Sequence, residues 1–428
     1  MISGFSKLDT REKIELLIKN LGLSPKVQET ITSHHHPDLQ ETYNQFSENT
    51  ISNFYLPYNI APNFVINGKE YIVPMAIEES SVVAAASKAA NFWSKHNGFK
   101  ATVISTTKVG QLFFNTDESF HYLNDQLEVI ENYLRQSTSS LTYNMEKRGG
   151  GIKAFELQEV DDCENTFCLL VSFETVDSMG ANFINSCLEQ MGDSLTQYFK
   201  NQEKEIQIIM AILSNYTPDC IVKCEVSCSI DELKYWSKDM NPFEFATRFK
   251  SAVEIAKNNT PRAVTHNKGI MNGIDAVVIA TGNDFRAVEA GIHAYACKDG
   301  KYRSLSDISI ENNMFTYSLT VPLAIGTIGG LTKSHPMAAL SMEILKNPNA
   351  QELMGIIAAA GLANNFSAVA SLVTTGIQKG HMKMHLSNIL LTLDASEEEK
   401  VSANAYFSNQ TVSFSAVQTY LNNCRKVK

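Results

Sequence analysis

The chain has 428 residues, of which 44% are hydrophobic and 19% charged, and its formal net charge is -10. This composition argues against a long disordered or fibrous protein, and the acidic balance argues against a general nucleic-acid binder. At roughly 100–200 residues per domain, the length allows two to four domains. The N-terminus has no apolar signal core, and no uninterrupted apolar stretch reaches the ~18 residues of a membrane span. The sequence therefore predicts a soluble cytoplasmic protein with no membrane partner.

The N-terminal quarter combines helical and β-rich segments. Residues 9–45 predict amphipathic helices on both sides of Pro37. The segment VINGKEYIVPM predicts a hairpin around an Asn-Gly turn, and EESSVVAAASKAANFW predicts a helix with acids at the positive end of its dipole. Three consecutive histidines, His34–His36, have no second ligand group beside them and predict a solvated turn before a helix.

The middle of the chain changes character. Between residues 101 and 215, strand-like pieces alternate with helical stretches at 117–136 and 180–200, which predicts a separate α+β domain with an antiparallel sheet. In DCIVKCEVSCSID the three cysteines fall on even positions, so they predict one face of a buried strand. Their spacing matches neither a zinc pair nor a common iron–sulfur run, and we expect no metal. The positions are Cys220, Cys224 and Cys228.

Four later segments concentrate reactive side chains beside glycine and asparagine. They are EESS at 78–81, RAVTHNKGIMNG at 262–273, ATGNDFR at 280–286 and GHMKMH at 380–385. Each is weak evidence alone, because acids at a helix start often offset the dipole and a lone lysine is usually solvated. Asp284 follows an apolar run, DAVVIA, that predicts a buried strand, and ligands collect at such strand ends in open α/β folds. Asp is equally a common helix N-cap residue. The chain has no G-x-G-x-x-G and no Walker A sequence, so a dinucleotide would not be held in the Rossmann manner.

Taken together, the motifs resemble one family. ENTIS, LPYNIAPNF, VPMAIEESSVVAAAS, DSMGAN, HNKGIMNG, ATGNDFRAVEAG, GTIGG and GLANNFSAVASLVTTGIQKGHM occur in order over about residues 48–390. This is the pattern of the class II, bacterial-type 3-hydroxy-3-methylglutaryl-coenzyme A (HMG-CoA) reductases. The resemblance implies reduction of HMG-CoA to mevalonate and coenzyme A with two hydrides from a nicotinamide cofactor.

The resemblance also implies roles for individual residues. Lys268 matches the catalytic lysine, Glu79 the catalytic glutamate, Asp284 the aspartate between them, and His381 the histidine that protonates the leaving thiolate. A cation near the reacting carbonyl oxygen is the expected stabiliser of developing negative charge, and a proton-donating glutamate needs a raised pKa. The implied substrate contacts are Ser81, Arg262, Asn272 and, more weakly, Asn215. His385 is better explained as a helix-face residue than as a catalytic one.

The same resemblance assigns the cofactor to the small domain. Its implied contacts are Glu174, Asp177, Met179, Gly180 and Asn182. Ser178 replaces the alanine that the family pattern mostly has after the aspartate. Glu174 can accept the ribose 2′-hydroxyl, and Val176 offers no cation for a 2′-phosphate, so we expect NADH to be preferred over NADPH.

The predicted architecture is multidomain α+β. A discontinuous large α/β domain (1–107 and 218–376) carries an inserted antiparallel, ferredoxin-like, non-Rossmann cofactor domain (108–217) and a helical C-terminal flap (377–428). The resemblance implies a homodimer, or a larger oligomer of dimers, with active sites at the subunit interface. Two alternatives stay open: the same enzyme run oxidatively to degrade mevalonate, and a non-enzymatic acyl-coenzyme A binding protein.

Overall fold

The computed structural model describes residues 4–376, 386–387, 389–407, 410 and 412–426. The chain divides into two compact units, Met1–Pro57 and Tyr58–Lys428. The first unit contains a short 3-10 turn, Phe5–Lys7, and the three helices α1 (Thr10–Leu21), α2 (Pro25–Ser33) and α3 (Gln40–Asn44). Helix α1 begins at a capping box in which Asp9 and Glu12 each accept from the other's backbone N–H. The helices predicted on both sides of Pro37 are confirmed.

The three consecutive histidines lie between α2 and α3, as predicted. His35 Nε2 lies 2.8 Å from the carbonyl oxygen of Ile51, and the carbonyl of His34 accepts from Tyr55 Oη at 2.9 Å. These contacts tie the turn to the segment that follows α3 within the same unit. Among the residues that the structure describes, no group of three or more His, Cys, Asp or Glu side chains could hold a metal ion.

The second unit is built on three antiparallel sheets. The predicted hairpin is the two-stranded sheet of β1 and β2, which turns at Asn67-Gly68. One four-stranded sheet has the order β3-β8-β10-β9 and the other the order β5-β6-β4-β7. The strands are β1 (Tyr58–Ile66), β2 (Lys69–Ala76), β3 (Lys100–Val103), β4 (Lys108–Asn115), β5 (Gly151–Glu159), β6 (Thr166–Glu174), β7 (Gln207–Ser214), β8 (Ile221–Ser229), β9 (Ser306–Glu311) and β10 (Met314–Pro322).

Helices cover these sheets. The second unit has a larger and a smaller hydrophobic core. The helices around the larger core are α4 (Ser80–Trp93), α9 (Lys234–Ser237), α10 (Pro242–Asn258), α11 (Thr260–Ala280), α12 (Phe285–Tyr295), α13 (Leu331–Ser334), α14 (Pro336–Ile344) and α15 (Ala350–Val373), with a 3-10 turn at Ile230–Leu233. Helix α15 packs on α4, α11 and strands β3, β8 and β10. It is long and apolar enough to cross a membrane, yet 78% of its most apolar window is buried inside the protein. It is therefore explained as the core helix of this fold, which is apolar on all sides because it is surrounded.

The inserted segment has its own hydrophobic core. The sheet β5-β6-β4-β7 packs on α8, and residues such as Leu112, Val171 and Leu188 are fully buried between them. The helices of this part are α5 (Phe120–Asp125), α6 (Leu127–Ser137), α7 (Ser139–Glu146) and α8 (Ala181–Lys200). The predicted antiparallel α+β arrangement is confirmed. Two further helices, Glu397–Tyr406 and Phe414–Lys426, form a separate small cluster at the C-terminal end.

Strand β8 confirms the prediction for the cysteine run. Cys224 and Cys228 lie on its buried face, and Cys220 is buried just before it. Burial raises the pKa of the Cys220 thiol to about 11, so this thiol is an inert core group at neutral pH. All eight cysteines of the chain are free.

One predicted element is wrong. The apolar run 275–280 is not a strand but the C-terminal end of α11. Most of this helix is buried against α15 and β2, so its sequence loses the polar face that would reveal a 3.6-residue period. Asp284 therefore follows a helix rather than the end of a parallel strand.

Candidate active site

Glu79 stands at the N-cap of α4, where the chain leaves the β1–β2 hairpin. Its backbone is extended (φ -90°, ψ 105°), and Ser81 Oγ donates to Glu79 Oε1 at 2.6 Å. The serine is thus a partner of the carboxyl group, two residues away on the first turn of the helix. The acid at a helix start does more here than offset the dipole, because one of its oxygens is held in a fixed direction.

Lys268 extends from α11 toward this carboxyl group. Its Nζ lies 3.6 Å from Glu79 Oε2, and the side chains of the lysine and the glutamate are 63% and 40% exposed. An ion pair this open to water contributes little to stability. The arrangement is more useful chemically, since it places a cation beside a carboxyl group that solvent and ligands can reach.

Helix α15 fixes the two helices that carry this pair. Asn364 Nδ2 donates to the carbonyl of Val82 on α4 at 2.8 Å, and Asn365 Nδ2 donates to the carbonyl of His266 on α11 at 2.9 Å. Ser367 adds a second bond to α4, to the carbonyl of Ala85. These three residues lie within one of the motifs that resemble the family, but the resemblance assigned them no role. Adjacent asparagines in a strongly apolar helix were the available signal, because buried amides must find partners.

A buried polar network lies under the lysine. His266, two residues before Lys268, is 1% exposed, and its Nε2 lies 2.7 Å from Ser306 Oγ. Burial, with a smaller contribution from the Arg262 charge, lowers the pKa of this histidine to about 3, so it is neutral at physiological pH. Asn267 accepts from the N–H of Leu305 and donates to the carbonyl of Arg303. These bonds hold the backbone of α11 at the position from which Lys268 projects.

The substrate candidates are distributed along and beside α11. Asn272 lies one turn after Lys268 on the same face and is half-buried. Arg262 lies six residues before the lysine, about 9 Å along the helix axis. Burial lowers the pKa of its guanidinium, while Tyr317 opposes the shift. Asn215 follows β7, and its carbonyl oxygen would lie 2.7 Å from a Cβ at Gly291, so it abuts α12.

Asp284 is the N-cap of α12, and its carboxylate pairs with Arg286 on the same helix. Its Oδ1 accepts from the N–H groups of Arg286 and Ala287, and Arg286 Nε lies 3.0 Å from the same oxygen. Partial burial acts to raise the pKa of Asp284, but these hydrogen bonds and the Arg286 charge outweigh it and lower the pKa. Within the described residues, no ion pair joins Asp284 to Lys268.

The segment predicted to bind the cofactor is a tight loop between β6 and α8. The Asp177 carboxylate accepts from the backbone N–H of Ala350 at 2.9 Å, the first residue of α15. The Asp177 carbonyl accepts from Thr327 and Ile328 in the GTIGG loop. A Cβ at Gly326 would lie 2.5 Å from the backbone nitrogen of Met179, so only glycine permits this approach. Three motifs that are distant in sequence therefore meet, because Asn283 also accepts from the Gly326 N–H.

The rest of this loop leads into α8. Gly180 is its N-cap in a left-handed conformation (φ 93°), and no side chain of the described residues caps the first turn of the helix. Asn182, on that turn, is exposed, and Met179 is half-buried. Ser178 Oγ accepts from the Gly180 N–H at 3.1 Å, a bond that alanine at this position could not make. His381 and His385 lie outside the described residues.

Comparison with known proteins decides the family. The family profile for hydroxymethylglutaryl-coenzyme A reductase matches residues 9–386. The chain belongs to this family. It is 34% identical over 405 residues to the 3-hydroxy-3-methylglutaryl-coenzyme A reductase of Archaeoglobus fulgidus, covering 93% of this chain and 88% of that protein. It is 32% identical over 343 residues to the probable reductase of Borreliella burgdorferi, covering 80% and 77%.

Solved structures of the reductase family support the same assignment. The fold superposes on the class II 3-hydroxy-3-methylglutaryl-CoA reductase of Streptococcus pneumoniae, described as bound to NADPH in open conformations, with a TM-score of 0.72 and 35% sequence identity. The match covers 98% of this chain and all of that one. The resemblance in the motifs and the predicted mixed α/β architecture are therefore confirmed.

Proposed function

We propose that this chain catalyses the nicotinamide-dependent reduction of HMG-CoA to mevalonate and coenzyme A. The observation that carries the proposal is the pair of Lys268 and Glu79, 3.6 Å apart and open to solvent, in a member of the reductase family. Reduction of a thioester to an alcohol places negative charge on a carbonyl oxygen twice. A fixed ammonium group next to a proton donor meets both demands.

The proposed roles follow from these positions. Lys268 stabilises the developing charge on the carbonyl oxygen, and Glu79, oriented by Ser81, holds the proton for that oxygen. Arg262 faces the distal carboxylate of the substrate, since guanidinium and carboxylate pair strongly, and Asn272 and Asn215 supply polar contacts.

His381 protonates the departing thiolate, a role that requires a group with a pKa near neutrality. If so, His381→Ala impairs thioester reduction and spares reduction of free mevaldehyde; equal loss on both would contradict this role.

The cofactor fits the loop after β6. The first turn of α8 has no side-chain cap from the part of the chain that the structure describes, so its N–H groups and the positive end of the helix dipole are available to a phosphate. Gly180 and Asn182 would lie at the pyrophosphate, with Met179 beside it, and Asp177 holds the loop against α15. The nicotinamide cofactor supplies the hydrides. Glu174 places a negative charge in this loop, and Val176 offers no cation, which supports a preference for NADH; the Streptococcus pneumoniae relative was solved with NADPH.

We further propose that the active protein is at least a homodimer with sites shared between subunits. The support is that, among the described residues, the ion-pair partner of Asp284 is Arg286, whereas that of Lys268 is Glu79. A second copy would bring its own Asp284 to the lysine. The expected cytoplasmic location stays a prediction.

The deciding experiment measures initial rates with HMG-CoA and either NADH or NADPH. We expect two equivalents of reduced cofactor to be consumed for each free thiol released, because a thioester needs four electrons to reach an alcohol. Consumption of one equivalent, with aldehyde as product, would contradict the full reaction. Absence of any turnover under conditions where HMG-CoA binds would favour the acyl-coenzyme A binding alternative.

A further inference from the structure

A buried lysine lies beneath the cofactor loop, and neither the family motifs nor the roles proposed above use it. Lys108 is the first residue of β4 and is 3% exposed. Its Nζ donates to Thr175 Oγ1 at 2.6 Å and to the carbonyl of Ser178 at 3.1 Å. Burial lowers the pKa of this lysine, and the neighbouring Cys220, Glu174 and Asp177 oppose the shift. Both hydrogen bonds end on the loop that joins β6 to α8.

That loop has an unfavourable backbone that something must hold in place. Val176, a β-branched residue, has φ 52°, in the left-handed region that such residues rarely adopt. Thr175 is at the centre of the arrangement, because its Oγ1 accepts from Lys108 and donates to the carbonyl of Ser178 at 2.6 Å. The Glu174 carboxylate accepts from the Val176 N–H at 2.7 Å and from Thr106. Lys108 thus anchors both sides of the strained residue.

Lys108 also stands where the chain passes between the two large cores. The connection before it pairs with the first residue of β8: Ile104 N donates to Ile221 O, and Ile221 N donates to Ser105 O, both at 2.8 Å. The backbone of Lys108 therefore follows directly after this hydrogen-bonded connection, while its side chain is bonded to the loop.

We propose that Lys108 is a positioning residue for the nicotinamide cofactor. It holds the segment Glu174–Asn182, which contains the loop between β6 and α8, in its binding conformation. This inference rests on the proposed function only in taking that loop as the cofactor site. Because Lys108 does not touch the reacting atoms, its loss should weaken cofactor binding without slowing the chemical step.

The test compares Lys108→Met with wild type. Methionine keeps an unbranched side chain, one atom shorter than that of lysine, and removes the charge and the donors. We expect the KM for the reduced cofactor to rise about 10-fold or more, with the KM for HMG-CoA within about 2-fold and kcat at saturating cofactor within about 3-fold. The matched control is Lys204→Met, which removes a lysine paired with Glu118 elsewhere in the same domain and should leave the cofactor KM unchanged. Equal rises in both KM values, or a cofactor KM within about 2-fold of wild type, would overturn the proposal.

A second pair of variants protects the test against loss of folding. Thr175→Val removes the oxygen that Lys108 contacts, whereas Thr175→Ser retains it. We expect the valine variant to raise the cofactor KM and the serine variant to restore it toward wild type. If the two variants behave alike, the contact between Lys108 and Thr175 does not position the cofactor.

Cofactor binding is also measured without turnover, by fluorescence titration with NADH and with NADPH. A wild-type chain that binds a dinucleotide but does not reduce HMG-CoA would contradict the proposed function alone, and Lys108→Met should still weaken that binding. A wild-type chain that binds neither dinucleotide would overturn both proposals.

Discussion

Lys268 Nζ lies 3.6 Å from Glu79 Oε2, and the two residues come from separate helices, α11 and α4, that are both hydrogen-bonded to α15. Neither side chain is deeply buried, so the pair does not serve the stability of the fold. Its separation leaves room for a carbonyl oxygen to accept from both groups. The buried amides of α15 set this separation, since each donates to the helix that carries one member of the pair.

The first prediction concerns the lysine itself. Lys268→Ala should lower kcat by roughly 100–1000-fold and leave the dissociation constant of HMG-CoA largely unchanged, because oxyanion stabilisers act mainly in the transition state. Steady-state rates and a binding titration measure the two effects. Lys250→Ala, an exposed lysine on α10, is the control and should behave as wild type. A Lys268→Ala variant within threefold of wild type would contradict the assignment.

The second prediction concerns which subunit of a dimer supplies Asp284 to the site that contains Lys268. Lys268→Ala and Asp284→Ala should each be inactive, but subunits mixed by unfolding and refolding should regain activity. In a mixed dimer with shared sites, one site then contains both native residues. Random mixing gives about a quarter of wild-type activity if dimers form. If Lys268 and Asp284 act within one chain, every site lacks one of them and the mixture stays inactive.

The third prediction tests the network beneath the lysine. Asn365→Ala leaves the carbonyl of His266 and the hydroxyl of Tyr317 without the amide that now bonds to both. Buried polar groups that lose a partner cost roughly 1–3 kcal/mol, so the free energy of unfolding should fall by that amount. Because α11 loses its anchor, kcat should also fall, with cofactor KM unchanged. Asn91→Ala, exposed on α4, is the control in the urea titration. Unaltered stability would show that the network is not holding α11.

Some of this architecture follows from sequence alone and some does not. The hairpin at Asn67-Gly68 and the cysteine face of β8 were predictable, because alternation and turn chemistry are local signals. The end of α11 was not, because a helix buried on most sides has the composition of a buried strand. Asn364 and Asn365 stand out in the sequence as adjacent amides in an apolar helix, but their partners on α4 and α11 could not be predicted, since these are brought close only by the tertiary fold.

The candidate site, too, contains residues that the sequence predicted and residues that only the structure identifies. Motif resemblance singled out Glu79 and Lys268, and the structure brings them together. The same resemblance assigned Asp177 to the cofactor, and its carboxylate accepts from the first residue of α15. Lys108 carries no motif, so only its burial and its two contacts with the loop identify it.

The fourth prediction is a pH dependence of stability. Burial, and then the neighbouring Glu289 on α12, raise the pKa of Asp275 to about 8, and Asp275 Oδ1 is buried with no hydrogen-bond partner among the described residues. An aspartate in the unfolded chain has a pKa of ~3.9, so the folded chain binds more protons between about pH 4 and pH 8. This group's contribution to stability is therefore full below about pH 4 and is lost as the pH rises toward 8.

Asp275→Asn tests that dependence, because the amide resembles the protonated acid and does not titrate. Relative to wild type, the variant should gain stability at pH 8.5 compared with pH 5.5, as measured by urea unfolding at both values. Asp299→Asn, an exposed aspartate, should show the same difference from wild type at both. A variant of Asp275 that behaves like this control would show that the carboxyl group is ionised in the folded protein at neutral pH.

The last prediction concerns the choice between the two cofactors, which differ by one phosphate. The Glu174 carboxylate is fixed by the N–H of Val176 and by Thr106, so its charge cannot turn away from a ligand in the loop. Glu174→Gln removes the charge, and the amide oxygen can still accept from Val176. We expect the ratio of kcat/KM for NADPH to that for NADH to rise about 10–100-fold, since a like charge in a partly dry site costs a few kcal/mol. Adding Val176→Lys should raise it further. Glu189→Gln, exposed on α8, is the control. If the ratio is unchanged in both Glu174 variants, this carboxylate does not face the ribose. If the wild-type chain favours NADPH, the predicted preference for NADH is wrong.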